Sequence, residues 1–452
     1  MKKIKNRALF ALFLVGITII CLIYYVILLI INGDDWASAR FNTAIYKRGV
    51  LISGTLVDRN GIVLSTICDA GYRIFAESTV VRRATLHVVG DAEGNIGTGA
   101  LSFYSADLIG YNFFTGTFSR TNAGRTLPLT IDSVLNVEAY RALDGRRGAV
   151  MIMNYETGEV LCMVSNPTFD PENVPDNIID NPAYEGVFLN RAISSTFIPG
   201  SVFKLITGAA AIENIWDIYE RMFLCDGELN IGGGTITCPR AHGRTTFEQA
   251  MTVSCNVAFA EMALELGSDV LGVFADKYGF TDRVSVGGIM SARGSFERAP
   301  NGSSNLAWSG IGQFRNTVCP AAMLRFVGAI ANEGIAVDMR LMERNFLLDF
   351  LRFPHGSERI IPRDTAIRLG NVMNYSIHQS ESVNNSFPGL RIHAKTGTAE
   401  VGGGLTPHAW FAGYITNPDY PLAFVVIVEN GGGGFAVASP IANRVLQEAI
   451  KR

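Results

Sequence analysis

The sequence predicts an α/β fold, preceded by a small, mostly β module and by one N-terminal transmembrane helix. Three observations carry this. A charge-free run of 24 residues, Ala8 to Ile31, lies near the start of the chain. From about residue 33 to 146 the chain is rich in Gly, Thr, Ser and Val, with short alternating runs such as ATLHVV; this suits strands. Beyond Gly148, strand-like stretches enclose a long helical middle and a final helix closes the chain. First and last strands can then meet in one sheet.

The apolar run comes first. As a helix it is about 36 Å long, enough for a hydrocarbon core of about 30 Å. Lys2, Lys3, Lys5 and Arg7 precede it, and Asp34 and Asp35 follow. The positive-inside bias puts residues 1–7 in the cytoplasm and everything past residue 32 outside. The alternative is a signal peptide cleaved at Ala37-Ser38-Ala39. The run exceeds the usual signal core of about 7–15 residues, so an uncleaved anchor over 8–31 is the reading adopted. The whole chain, 452 residues and 48% hydrophobic, suffices for two or three domains. A net charge of −3 offers no field for nucleic acid.

The elements follow in order. LPLTIDSVLNVEAYRAL (127–143) reads as a strand leading into a helix, with Asp132 or Ser133 as N-cap. GAVMIMNYETGEVLCMVS reads as two strands joined at Tyr155–Gly158. SVFKLITGAAAIENI, FEQAMTVSCNVAFAEMALELG and PAAMLRFVGAIANEG read as helices. GLRIHAKTGTAEV, HAWFAGYITN and LAFVVIVENG read as strands, and ASPIANRVLQEAIKR as the last helix. The glycine runs at 402–404 and 431–434 read as loops, and no phosphate-binding G-x-x-x-x-G-K-[ST] is present. Of seven cysteines, Cys21 lies in the apolar run, and Cys225 and Cys238 lie in a hairpin-like stretch. A disulfide there and two buried thiols both remain open. No Cys/His cluster has metal-ligand spacing, so neither metal nor cofactor is expected.

Ser201 is the only serine with a lysine three positions on. On a helix, Lys204 would share its face. The helix N-terminus adds backbone N–H groups beside the hydroxyl. A serine needs a base to become a nucleophile; arginine cannot lose its proton, but a buried lysine can. The chain has 38 basic residues and only eight lysines, so Lys204 in an apolar helix is a specific choice. Taken alone, the pair fits a capping serine and a snorkelling lysine better. Lys395 lies in the strand-like IHAKTGTAE, the single K-T-G. Alternation points Lys395 and Gly397 one way, Thr396 and Thr398 the other. Gly397 lets a substrate backbone approach the strand, and a lysine with hydroxyls suits a carboxylate. S-x-N occurs at Ser254-Cys255-Asn256, Ser303-Ser304-Asn305 and Ser382-Val383-Asn384. Only the first stands between two helical runs, and Ser254 and Asn256 are chosen for that reason; the others read as loops.

S-x-x-K, S-x-N and K-T-G in this order resemble the signature of class B penicillin-binding proteins, peptidoglycan D,D-transpeptidases, most like their short penicillin-binding protein A type. RRGAVMIMNYETGEVLCMVSNPTFDPE, NRAISSTFIPGSVFKL, SCNVAF, HAKTGTAE, HAWFAGY and VDRNGIVLS extend the likeness. It covers nearly everything after residue 146 and patches before it. The resemblance implies a mainly antiparallel sheet flanked by helices with a helical subdomain (147–452), standing on a pedestal (33–146). It implies that Ser201 is acylated, that Lys204 is its base and that Ser254 relays protons to the leaving amine. Asn256 would bond the donor peptide. Lys395, Thr396 and Thr398 would hold the carboxylate of D-Ala-D-Ala beside Gly397, and the N–H groups of Ser201 and Thr398 would form the oxyanion hole. The implied partners are stem peptides, β-lactams, the cytoplasmic membrane and a polytopic glycan polymerase, because the pedestal is too small for a glycosyltransferase domain. The chain departs from the family in GQFRNTVCPAAM, where Phe314 replaces a usual glycine and Leu-Gln does not follow the proline.

Competing readings match the residues less well. A β-lactamase would deacylate with water, often using E-x-x-L-N after S-x-N, which is absent. A D,D-carboxypeptidase differs only in its acceptor. A penicillin sensor would need more than seven residues of cytoplasmic output, and a dead scaffold would not need intact motifs. His393, close to Lys395, has no G-x-S-x-G elbow with it and reads as structural.

Overall fold

The computed structural model of the chain describes residues 2–37, 46–47, 50–110, 124–343, 356–379 and 386–452. Ser38 and Ala39, and the triplet Ser382-Val383-Asn384, lie outside them. The N-terminal run is one helix, Lys2–Ala37, in which Lys3–Leu29 is long and apolar enough to cross a membrane. Leu12, Phe13, Leu14 and Val15, which step round the helix by about 100° each, are all exposed, as on a helix whose surroundings are apolar all round.

A four-stranded sheet follows, in the order Arg73–Phe75, Val63–Ile67, Thr55–Val57, Thr126–Pro128; its last pair is parallel. Asp58 Oδ1 closes the VDRNG turn by accepting from Asn60 N (2.9 Å) and Ile62 N (2.8 Å). Its Oδ2 accepts from Ser133 Oγ (2.7 Å), which ties the module to the next helix. ATLHVV, expected as alternating strand, is the end of helix Thr79–Val89, stopped at Gly90. Ala84 to Val89 are all buried, and period cannot separate helix from strand in a stretch buried on all sides. Helix and strand therefore share this module. Residues 127–143 behave as read: Asp132 caps helix Ser133–Leu143 by accepting from Val134 N and Leu135 N.

The main sheet is antiparallel throughout, in the order Ile392–Ala399, His408–Ile415, Leu422–Val428, Gly148–Asn154, Val160–Asn166. Its first and last segments meet as expected, with Val150 opposite Val426. On one face, Val150, Ile152 and Phe424 pack against Val445 and Leu446 of the C-terminal helix Gly434–Ala449 and against Leu143. On the other, Met151, Met153 and Val425 pack against helix Pro320–Ala331. Burial on both faces explains the continuous apolar runs. The Lys395 strand forms one edge.

The helical middle begins with a 3-10 turn, Gly200–Phe203, continued by helix Lys204–Asn214, whose Leu205, Ile206 and Ala209 to Ala211 are buried. Helices Phe247–Thr252, Asn256–Lys277, Ser304–Gly310 and Arg363–His378 surround it. Ser303, expected in a loop, caps helix Ser304–Gly310 by accepting from Leu306 N, which accounts for that S-x-N. Between the Lys204 helix and Phe247 the chain makes two small strand pairs. Phe223–Cys225 pairs with Gly243–Thr245, and Glu228–Ile231 with Gly234–Thr237.

Candidate functional site

The Ser201 turn touches the edge of the Lys395 strand, and glycines make that possible. Gly200 stands at φ 54°, and a Cβ on it would collide with the carbonyl oxygen of Thr398. A Cβ on Gly397 would lie 3.0 Å from Pro199 O and 3.0 Å from Val202 Cγ1. Trp410 Nε1 donates to Ile198 O (2.9 Å), fixing the approach to the turn.

Lys204 has 0% of its surface exposed, so its amine must find partners inside. Nζ donates to Ser254 O (2.6 Å) and Asn256 Oδ1 (2.7 Å), stands 3.1 Å from Ser254 Oγ, and lies over the Phe259 ring. Among the described residues no carboxylate bonds it, and no hydrogen bond joins it to the Ser201 hydroxyl. Burial pushes its ammonium well below the ordinary lysine range, and the neighbouring Lys395 charge acts the same way. Lys395 is also buried; its Nζ donates to Ser254 Oγ (3.0 Å) and Thr396 O (3.1 Å). Burial lowers it to about 8. Thr396 is half-buried and Thr398 exposed, while Lys395 and Gly397 are buried, as alternation predicts.

Ser254 sits at the expected corner between helices Phe247–Thr252 and Asn256–Lys277. It is held at φ 54°, a left-handed conformation that costs a non-glycine residue about 1–3 kcal/mol. That backbone aims Oγ between the two amines. Asn256 spends Oδ1 on Lys204 and donates from Nδ2 to Thr237 O (2.7 Å). The structure therefore gathers Lys204, Ser254, Asn256 and Lys395 into one network beside the Ser201 turn. His393 stays outside it, with Nδ1 at Gly370 O (2.9 Å) and Nε2 at Asn374 Nδ2 (3.1 Å).

Phe314 is also left-handed, at φ 66°. A glycine would adopt this backbone freely. With its carboxamide turned so that oxygen and nitrogen exchange places, the neighbouring Gln313 donates to Glu400 O (3.3 Å) and accepts from Glu400 N (3.1 Å).

The expectation that no Cys/His cluster has metal-ligand character is corrected here. Cys225, Cys238, His242 and Cys255 converge, with their ligand atoms within 4.8 Å of one another. Only Cys238 and His242 lie close in sequence, four positions apart, while Cys225 and Cys255 come from 13 positions before and after them; the strand pairs at 223–245 bring the four together. The signal available in the sequence was three cysteines and a histidine around one S-x-N. All three cysteines are free thiols, so the hairpin pair Cys225 and Cys238 carries no disulfide.

The profile of the penicillin binding protein transpeptidase domain matches residues 148–447. Peptidoglycan D,D-transpeptidase PbpA of Mycolicibacterium smegmatis is 30% identical over 75% of this chain and 75% of its own. Among solved structures, the D,D-transpeptidase domain of a peptidoglycan glycosyltransferase from Eggerthella lenta superposes with TM-score 0.75 at 26% identity, covering 88% of this chain and 98% of that one. Penicillin-binding protein A from M. tuberculosis, as a ceftriaxone acyl-enzyme complex, shares the fold with TM-score 0.75 at 24% identity, covering 88% and 98%.

Proposed function

The chain belongs to the penicillin-binding protein transpeptidase family, and on that premise we propose that it is a serine D,D-transpeptidase cross-linking peptidoglycan stem peptides through an acyl-enzyme on Ser201. The observation that carries the assignment is the Lys204 amine, fully buried, without a carboxylate partner among the described residues, and converging with Lys395 on Ser254 Oγ.

The hydrogen-bond inventory suits a neutral Lys204. Its two N–H groups serve Ser254 O and Asn256 Oδ1, which leaves the lone pair for a proton. Charged Lys395 can donate to both Ser254 Oγ and Thr396 O. In acylation, Ser201 Oγ bonds to the penultimate D-Ala carbonyl and the C–N bond to the terminal D-Ala breaks. The serine proton passes to Lys204 and through Ser254 to the leaving amine. Backbone N–H groups of Ser201 and Thr398 receive the oxyanion. Lys395, Thr396 and Thr398 hold the terminal carboxylate, Gly397 admits the peptide, and Asn256 orients it. An acceptor amine then takes the acyl group. β-Lactams would be trapped as the same acyl-serine.

The finer reading places the enzyme on the cytoplasmic membrane, anchored by 8–31, with residues 1–7 inside and the pedestal (33–146) and transpeptidase domain (147–452) outside. Its glycan strands would come from a separate membrane polymerase. The test is covalent labelling of the full-length protein in detergent by a fluorescent penicillin, read by intact mass, with Ser201→Ala alongside. One stable adduct, lost in the variant, supports the assignment. A folded protein without an adduct would turn it into a scaffold. Turnover of a stem peptide with and without an acceptor amine separates transpeptidase from carboxypeptidase and sensor.

A further inference from the structure

We propose that Cys225, Cys238, His242 and Cys255 bind one zinc ion in a closed tetrahedral site that holds the Ser254–Asn256 corner. The proposal rests on these four side chains and would stand whatever acyl acceptor the enzyme uses.

The donor set comes first. Three thiolates and an imidazole select zinc among the common divalent ions, and three cysteines with one histidine form a recurrent structural zinc set. The spacing comes second. With Zn–S of about 2.3 Å and Zn–N of about 2.0 Å, tetrahedral angles put two sulfurs about 3.8 Å apart and a sulfur and nitrogen about 3.5 Å apart. Cys238 Sγ and Cys255 Sγ lie 3.9 Å apart, and Cys225 Sγ and His242 Nδ1 lie 3.5 Å apart. A disulfide would join two sulfurs at about 2.0 Å and leave the other two ligands without a purpose.

The surroundings fit a metal site as well. Asn256 N donates to Cys238 Sγ (3.1 Å) and Ala258 N to Cys255 Sγ (3.4 Å). Such N–H···S bonds spread the charge of metal-bound thiolates. Cys225 and Cys255 are buried, whereas Cys238 and His242 are half-buried, so an ion can enter from one side. Binding expels the thiol protons to solvent. Four protein ligands leave no open position, so the ion is structural.

Its role follows from where Cys255 stands. Cys255 caps helix Asn256–Lys277 and lies between Ser254 and Asn256, both partners of Lys204. A strained residue such as Ser254 persists only where its surroundings over-determine it. The ion would tie that corner to strand Phe223–Cys225 and to the end of the 228–237 hairpin.

The test is the zinc content of the full-length protein in detergent, expressed with zinc and purified under reduction without chelator. The expected result is one zinc per chain by elemental mass spectrometry. Cobalt substituted for zinc should give the visible bands of a tetrahedral thiolate complex. His242→Ala should lose the ion, whereas His242→Cys, which makes the donor set four thiolates, should keep it and fold; that variant covers a misfolded His242→Ala. Chain without zinc and with four free donors would overturn the proposal, as would a Cys238–Cys255 disulfide under these conditions. So would zinc retained in a Cys225→Ser/Cys238→Ser double variant, which would place it elsewhere. If penicillin labelling fails while zinc is present, only the acylation assignment falls.

Discussion

The tripeptide Ser254-Cys255-Asn256 faces two polar clusters with opposite logic. On one side stand two buried amines, Lys204 and Lys395, held by neutral oxygens. On the other stand three thiols and an imidazole. In the first cluster burial disfavours the charged amines, which on the proposed mechanism lets a proton move. The second, read as a zinc site, would fix a dication among three thiolates so that nothing moves. On that reading a mobile proton relay would rest on a rigid anchor one residue away. Supporting groups of this kind keep reacting atoms within fractions of an ångström.

Perturbing each side should separate the two roles. Lys204→Arg should keep fold and zinc but abolish penicillin labelling, a loss of at least about 10²–10⁴ in rate; normal labelling would sink the general-base role. Stripping zinc with a chelator should slow labelling by up to about 100-fold, the cost of a 1 Å misplacement, and lower the melting temperature. Equal labelling of stripped and loaded protein would show that the two clusters are uncoupled. The pH profile sharpens the amine side. Lys204 acts when neutral, so the rate rises with pH through its lowered value. Lys395 acts when charged, so the rate falls above about 8. A profile still climbing at pH values about two units higher would contradict that division of labour. The smallest effect lies outside both clusters. Phe314→Gly relieves about 1 kcal/mol of backbone strain and removes a half-buried ring that lies under Arg315. Stability measured by denaturant should change by less than about 1 kcal/mol, with labelling unaltered.

The amine side was legible in the sequence because its signals are short and local. Ser201 and Lys204 are one turn apart, Lys395 to Thr398 share a strand, and Ser254 is flanked by helical runs. The main sheet was legible because Gly148–Asn154 and Leu422–Val428 are buried on both faces and read as unbroken apolar runs. The thiol side was hidden because its ligands meet only after two strand pairs fold. Helix Thr79–Val89 was hidden because its apolar end has no polar face to mark a period. The bond from Lys204 to Asn256 was equally hidden: the residues pointed Lys204 to Ser201, and the resemblance linked it to Ser254 alone.

The pairing of Val150 with Val426 has a consequence for how the enzyme is made. A ribosome delivers Gly148–Asn154 early; one edge can pair at once with Val160–Asn166, but the other must stay unmatched until nearly the whole chain has emerged. Contacts so far apart along the chain close slowly. The Lys395 strand joins the sheet through His408–Ile415 and Leu422–Val428, so it gains its place only with that late closure. A nascent or C-terminally truncated chain would carry Ser201 and Lys204 yet have no seat for a donor peptide, and synthesis itself would delay the onset of acylation.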